Sequence, residues 1–272
     1  MNRSDRTIAI LGAGNIGQAL AEGWVAAGLR EPGEIVLTRR GEAALEPLAE
    51  RGYRTTVDNR AAVREARTVV AAVQPQQLVA LLDEIGPVLD PDRHLLVSVV
   101  SDVAVADIRG HVGKPVRVVR AMPNTAIAIG ESMTCLAAAD GAGPAMDEAR
   151  ELFDAVGETM VIREELMVSA TALVACGVAF FLRAVRAASQ GGIEIGFHPE
   201  EALRLAAQTA RGAASLLKEE GSHPESEVDK VTTPRGCTIA GLNEMEHQGF
   251  SSALIKGIVV SARKADELYE EE

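Results

Sequence analysis

The apolar positions of this chain follow two rhythms. In the first part, short and mostly apolar runs recur at Thr7–Leu11, Glu34–Thr38, Thr68–Val73, His94–Ser98, Val116–Arg120, Ser132–Ala138 and Thr159–Ile162, with a shorter one at Tyr53–Thr56. Runs of this kind mark strands covered on both faces of a parallel sheet. Helical patterns separate them at Ala19–Gly28, Arg60–Glu65, Leu78–Leu89, Val103–Arg109 and Pro144–Val156. The alternation predicts an α/β fold, with a doubly wound parallel sheet over residues 1–162.

After Arg163 the strand rhythm stops, and residues 163–272 read as an all-α domain. Glu164–Gln190 is a long, mainly apolar helical stretch broken by Gly191-Gly192. His198-Pro199 opens an amphipathic helix over Glu200–Glu219, and further helices are predicted from about Thr238 to His247 and from Ser251 to about Tyr269. The long stretch is apolar on more than one face, so it needs more cover than two neighbouring helices give. A dimer interface supplies that cover, with Ala175, Gly177 and Ala179 permitting close approach; a central helix buried in its own domain is the alternative. The most apolar part, Ala170–Leu182, is interrupted by Thr171, Cys176 and Gly177 and reads as too short to span a bilayer.

Two stretches carry chemistry. The first strand runs directly into Gly12-Ala13-Gly14-Asn15-Ile16-Gly17 and then a helix, the order a dinucleotide-binding fingerprint requires in a Rossmann-type fold. Gly12 allows the tight turn, Gly14 the approach of a pyrophosphate, and Gly17 close packing of helix on strand. At the end of the second strand, where an acid would read a ribose 2′-hydroxyl, the chain has Thr38-Arg39-Arg40. A guanidinium binds a 2′-phosphate bidentately, whereas an acid repels it. NADP(H) is therefore the expected cofactor, read mainly by Arg39, with NAD(H) as an alternative. Two later strands run into Val73-Gln74-Pro75 and Met122-Pro123-Asn124, where proline stops the ladder. Right-handed crossovers bring all these residues to one carboxyl edge. Asn124 is either a ligand for a carboxamide or amine, or a turn residue.

The second stretch is Val231–Gly241, V-T-T-P-R-G-C-T-I-A-G. Pro234 fixes its own φ and biases Thr233 toward extended geometry. Arg235-Gly236 reads as a turn, with Gly236 free to take φ > 0. The N–H groups of Gly236, Cys237 and Thr238 then lie at or just before a helix N-terminus, where they favour an anion. With the hydroxyls of Thr233 and Thr238 beside them, the loop reads as a receptor for a small carboxylate. A capped connection with Thr238 as N-cap is the alternative.

Composition narrows the classes. The 272 residues are 47% hydrophobic and 24% charged but only 3% aromatic, so the core must be aliphatic. A net charge of −12 argues against a nucleic-acid partner. Cys135, Cys176 and Cys237 are far apart, and neither they nor the 5 histidines show metal-ligand spacing, so no metal is expected. Free thiols point to a reducing cytoplasm. Neither a signal peptide nor a membrane partner is expected.

Together these motifs resemble the pyrroline-5-carboxylate reductase family. The likeness runs over nearly the whole chain: Ile10–Gly17, A-V-Q-P-Q at Ala72–Gln76, R-A-M-P-N-T at Arg120–Thr125, Q-T-x-x-G-A at Gln208–Ala213, and His223–Leu242, which is the specific one. The resemblance implies an NAD(P) domain and an all-helical dimerisation domain, with active sites completed across a homodimer that often assembles further into a decamer. It implies reduction of a cyclic imino acid, 1-pyrroline-5-carboxylate, to proline. The carboxylate would rest on Thr233, Gly236, Cys237 and Thr238, and the Thr238 hydroxyl would orient the ring nitrogen. The chain departs from the family at Thr233 (serine), Arg235 (glycine) and Gln74 (lysine). A larger departure is V-A-C-G-V-A-F at Val174–Phe180, where the family shows S-G-S-G-P-A-Y. A β-hydroxyacid reductase would want a lysine on the long helix, and Glu164–Gln190 has none. An imine reductase of this architecture with another substrate, or a non-catalytic NADP-binding regulator, would also fit these motifs. Cys237 as a nucleophile lacks an evident base.

Overall fold

The computed structural model of the chain describes residues 6–101, 103–139, 143–219 and 221–267. Among these, β1 (Ile8–Leu11), β2 (Ile35–Thr38), β3 (Arg54–Thr56), β4 (Thr68–Ala71), β5 (Leu95–Ser98), β6 (Arg117–Met122), β7 (Ser132–Ala137) and β8 (Gly157–Val161) form one sheet in the order β3-β2-β1-β4-β5-β6-β7-β8. Helices α1 (Asn15–Ala26), α2 (Glu46–Glu50), α3 (Asn59–Glu65), α4 (Pro75–Ile85), α5 (Val105–Val112) and α6 (Pro144–Asp154) connect the strands. The strands from β3 to β6 pair parallel, which is the doubly wound pattern. The all-parallel expectation ends at β7, which pairs antiparallel with β6 and parallel with β8. The cause is the connection: from Met122 to Ser132 the chain makes only a 3-10 turn, Thr125–Ile129, whereas a parallel return needs a crossover of a dozen or more residues.

Side chains alternate between two apolar layers, as strand geometry requires. Ile8, Ile10, Val70, Val97 and Val119 face one layer with Trp24 of α1 and Phe153 of α6. Ala9, Leu11, Val69, Leu96 and Val118 face the other, with Val63, Leu78, Leu82 and Ile108 from α3, α4 and α5. Trp24, fully buried, fixes α1 against α6: its Nε1–H donates to the Leu152 carbonyl at 2.8 Å, and its ring meets Phe153 edge-on at 6.1 Å.

His94, just before β5, is also buried, at 2% exposed. Its Nδ1 accepts the Asp90 N–H at 2.7 Å. Burial, with a lesser contribution from the nearby Arg93 charge, pushes its pKa below the ordinary value, so the folded state holds it neutral. The unfolded chain takes up a proton near the ordinary value of about 6.5. This contribution to stability is therefore complete above that pH and declines as pH falls below it. His94→Asn, which keeps an acceptor for Asp90, is expected to lose less stability than the native chain between about pH 7.5 and pH 5.5 in denaturant titrations. Identical losses would contradict the assignment.

The chain forms two compact units, one of residues up to Cys176 with those from Ser261 onward, the other Gly177–Val260. The long apolar stretch is one helical run rather than a helix ended by glycine. A turn at Glu164–Leu166 leads into α7 (Met167–Ala170), a π-type turn at Thr171–Ala175, and α8 (Gly177–Glu194). The π-type turn is marked by the Cys176 N–H, which reaches back to the Thr171 carbonyl at 2.9 Å. The run therefore spans 31 residues and is long and apolar enough, by length and composition, to cross a membrane, which corrects the shorter reading of Ala170–Leu182. Gly191 and Gly192 lie inside α8. A Cβ on Gly192 would stand 3.1 Å from the Ala202 Cβ, so its absence lets α9 (Pro199–Leu216) approach.

Beyond α9 come α10 (Pro224–Val231), which the apolar pattern did not predict, α11 (Cys237–His247) and α12 (Phe250–Glu267). The predicted continuation to Tyr269 lies outside the described residues. His198 and His223 each precede a proline at a helix start. The His198 N–H donates to Glu201, and the Glu225 N–H to His223 Nδ1.

Candidate functional site

β1, β2 and β4 end level, Leu11 being paired with both Thr38 and Ala71. Strand order reverses between β1 and β4, the place where open α/β sheets bind ligands. Gly12 leaves β1 with φ +108°, and the N–H groups of Gly12 and Ala13 both donate to the Thr38 carbonyl, at 3.2 and 2.7 Å. A Cβ on Gly12 would stand 2.5 Å from the Ala72 carbonyl oxygen, and one on Gly17 2.3 Å from the Gly12 carbonyl oxygen. α1 begins at Asn15 rather than near Ala19, so Asn15, Ile16 and Gly17 form its first turn. Their N–H groups have no intrahelical acceptor, and no acidic residue occupies that turn. At the N-cap, Gly14, an added Cβ would meet no protein atom within 4 Å. The backbone there borders open space, which fits the close approach of a phosphate group.

These turns open on a cleft of about 830 Å³. Of the residues predicted to hold a cofactor, Gly12, Gly14, Thr38, Arg39, Val73 and Gln74 line it. Pro75 is the first residue of α4. Met122 ends β6 and Pro123 and Asn124 follow it; all three are buried and do not line the cleft. Asn124 caps the 3-10 turn, its Oδ1 accepting the Ala126 N–H at 3.0 Å, while its own N–H donates to Ser132 Oγ at 3.2 Å. That turn packs on α1, where a Cβ on Gly23 would stand 2.3 Å from the Ile127 carbonyl oxygen.

The cleft also holds residues that motif reasoning missed, among them Asn59 and Glu84. The buried Thr38 hydroxyl donates to Asn59 Oδ1 at 2.7 Å, and Asn59 Nδ2 donates to Glu84 at 3.0 Å. Arg39 and Arg40 are exposed at the cleft, so positive charge is presented to a ligand there. Neither Asn59 nor Glu84 belongs to a spaced motif. Asn59 follows Asp58, the N-cap of α3, and in sequence reads as part of that helix start.

The second stretch takes a conformation different from the predicted one. Arg235, not Gly236, has positive φ, at +61°, while Gly236 is the N-cap of α11 at φ −76°. Glycine is required at 236 for space: a Cβ would stand 2.4 Å from Thr233 Oγ1 and 3.0 Å from the Thr233 carbonyl oxygen. The Gly236 N–H already donates to that carbonyl at 2.9 Å. Of the three N–H groups expected to be free, that of Gly236 is thus taken, and those of Cys237 and Thr238, the first two residues of α11, have no intrahelical acceptor. Thr238 is not the N-cap. No acidic residue lies in this turn, and Cys237 is exposed. Local geometry therefore brings the Thr233 hydroxyl, the Gly236 backbone and the start of α11 together.

Comparison with known proteins places the whole chain. Residues 164–268 match the family described as pyrroline-5-carboxylate reductase dimerisation, and residues 7–102 the family described as NADP oxidoreductase, coenzyme F420-dependent. Pyrroline-5-carboxylate reductase 1 of Dictyostelium discoideum is 52% identical over 99% of this chain, which spans about half (51%) of that relative's length. Pyrroline-5-carboxylate reductase 2 of the same organism is 46% identical over 97% of this chain and 93% of its own length. Among solved structures, a pyrroline-5-carboxylate reductase from Coxiella burnetii superposes with a TM-score of 0.84 at 28% identity, covering 97% of this chain and 98% of that one. The NADP-bound pyrroline carboxylate reductase of Plasmodium falciparum shares the fold, with a TM-score of 0.87 at 22% identity over 97% of this chain and 98% of that one.

Proposed function

The chain belongs to the pyrroline-5-carboxylate reductase family, and on that footing we propose that it reduces 1-pyrroline-5-carboxylate to proline with NADPH. The near full-length similarity to reductases of that name carries this reading, and the geometry of the two motif regions supports it. When bound, the cofactor supplies the hydride that turns the C=N bond into an amine, a proton completing the N–H bond. Gly12, Gly14 and the first turn of α1 hold its pyrophosphate, and Arg39 its 2′-phosphate.

In the second unit, the Cys237 and Thr238 N–H groups and the Thr233 hydroxyl hold the substrate carboxylate. The Thr238 hydroxyl hydrogen-bonds the ring nitrogen and orients it. A free hydroxyl is too weak an acid to donate its proton unaided, so the iminium or water supplies it. Proximity provides most of the acceleration. Conversion of 1-pyrroline-5-carboxylate by the purified protein, with deuterium from NADPH labelled at both C4 hydrogens recovered on the former imine carbon of proline, the ring carbon next to nitrogen that bears no carboxylate, is the expected result. Deuterium-free product, or no proline, would contradict the reading.

The 2′-phosphate assignment has its own test. Losing one hydrogen bond to a charged group costs roughly 1.5–3 kcal/mol. Arg39→Ala is thus expected to weaken NADPH binding about tenfold or more in direct titration and to leave NADH binding unchanged. An unchanged NADPH/NADH ratio would sink the assignment.

Self-association is part of the same proposal. The single chain leaves Phe181, Leu182, Ile195, Leu203, Ile255 and Val260 between 52% and 78% exposed, an apolar surface a soluble chain must cover. Burial in a homodimer, with further assembly to a decamer and a cytoplasmic location, accounts for it without a membrane.

A further inference from the structure

Arg120 lies on β6, two residues before the carboxyl edge, opposite Ser98 of β5 and Ala137 of β7. Strand alternation sends its side chain to the same face as Val118 and Met122. That side chain is 5% exposed. Nη1 reaches Glu164 Oε1 at 3.3 Å, while Nε and Nη2 find no acceptor among the described residues. The same Glu164 oxygen accepts the Val105 N–H at the start of α5, at 2.7 Å. A carboxylate at that helix end is favoured by the dipole.

So sparsely paired a buried cation is a poor stabilising device, and apolar replacement of buried ion pairs is often neutral or better. What the contact achieves is geometric. It joins the strand running into Met122-Pro123-Asn124, the helix that follows β5, and the first residue of the helical run after β8. The ends of β5 and β6 belong to the same carboxyl edge as the cofactor cleft.

We propose that Arg120 is a positioning residue for the reduction: through Glu164 it holds the start of α5 and the end of β6 in register at that edge. The proposal rests on the reductase reading above. Its test uses the full-length protein and the variants Arg120→Met, Arg120→Lys, Glu164→Gln and the double variant Arg120→Met/Glu164→Gln. The readouts are kcat and KM for 1-pyrroline-5-carboxylate, the Kd of NADP+ by calorimetry, and Tm.

Arg120→Met is expected to change Tm only slightly, since Glu164 stays 24% exposed and keeps the Val105 N–H, to hold the NADP+ Kd within about twofold, and to lower kcat about tenfold or more, since small misplacements are costly to catalysis. Glu164→Gln should lower kcat similarly, Arg120→Lys should restore part of it, and the double variant should be no slower than the slower single one, as residues acting through one contact are not additive. A kcat within about twofold of the native value in folded Arg120→Met, or a fall in Tm alone, would overturn the proposal. If Arg120→Met does not fold, Glu164→Gln and Arg120→Lys decide on the same readouts. If the native protein binds NADP+ but reduces no imine, the reductase reading fails. The role in reduction then falls with it, and hydrogen exchange at the start of α5 decides the remaining structural part: faster exchange in Arg120→Lys and Glu164→Gln supports the hold on that helix start, and unchanged exchange overturns it.

Discussion

Thr238→Ala is expected to lower turnover on the order of 10²-fold, with NADPH affinity held within about twofold. The asymmetry follows from where Thr238 stands. Gly236, not Thr238, is the N-cap of α11, and no side chain caps that helix. Removing the Thr238 hydroxyl therefore leaves the helix start and its N–H groups in place. What is lost is the group proposed to orient the imine nitrogen as the new C–H bond forms. Stopped-flow measurement of kcat beside fluorescence titration of NADPH separates the two effects. Equal losses in both would return Thr238 to a structural role and leave the loop without its proposed chemistry.

The second large effect is expected at the glycine turn. Alanine at position 12 must take φ +108° and place its Cβ 2.5 Å from the Ala72 carbonyl oxygen, a backbone atom that cannot swing aside. Such conformations cost on the order of 1–3 kcal/mol before any clash is counted. Gly12→Ala should therefore both lower Tm by several degrees and weaken NADPH binding on the order of 10²-fold, each tenfold corresponding to about 1.4 kcal/mol. Gly14→Ala is the matched control. Its Cβ has no protein neighbour within 4 Å, so Tm should hold while the methyl group occupies the space proposed for a phosphate. Loss of affinity in both, with loss of Tm only in Gly12→Ala, is the expected pattern. A Gly14→Ala protein that binds NADPH like the native one would contradict the cradle.

How much of the fold and site is legible in the sequence differs by level. The apolar runs locate β1, β2 and β4 to β7 because these are buried on both faces, whereas β3 is half-buried and β8 is largely exposed; the glycines mark where β1 turns. Strand direction is less visible. The reversal at β7 depends on the short connection at Thr125–Ile129, which carries no distinctive apolar signal. In the long helical run, Gly191-Gly192 suggests a break. The structure uses the missing Cβ of Gly192 for the approach of Ala202 instead, a tertiary reason no local pattern displays.

The loop at Val231–Gly241 shows the same limit. The dipeptide Arg235-Gly236 announces a turn, and the usual preference gives the positive φ to glycine. The structure gives it to Arg235, because Gly236 is needed for clearance from Thr233. Residues tied to the cleft by side-chain partners, such as Asn59 through Thr38 and Glu84, have no spacing signature and become visible only once β2, α3 and α4 are assembled.

The most direct measurement is NADPH oxidation by the purified protein with racemic 1-pyrroline-5-carboxylate, followed by the loss of reduced-nicotinamide absorbance, with NADH in a parallel series. Rapid oxidation that needs the imine and prefers NADPH is the expected result. No imine-dependent oxidation with either nucleotide, in protein that still binds NADPH, would contradict the proposed reduction.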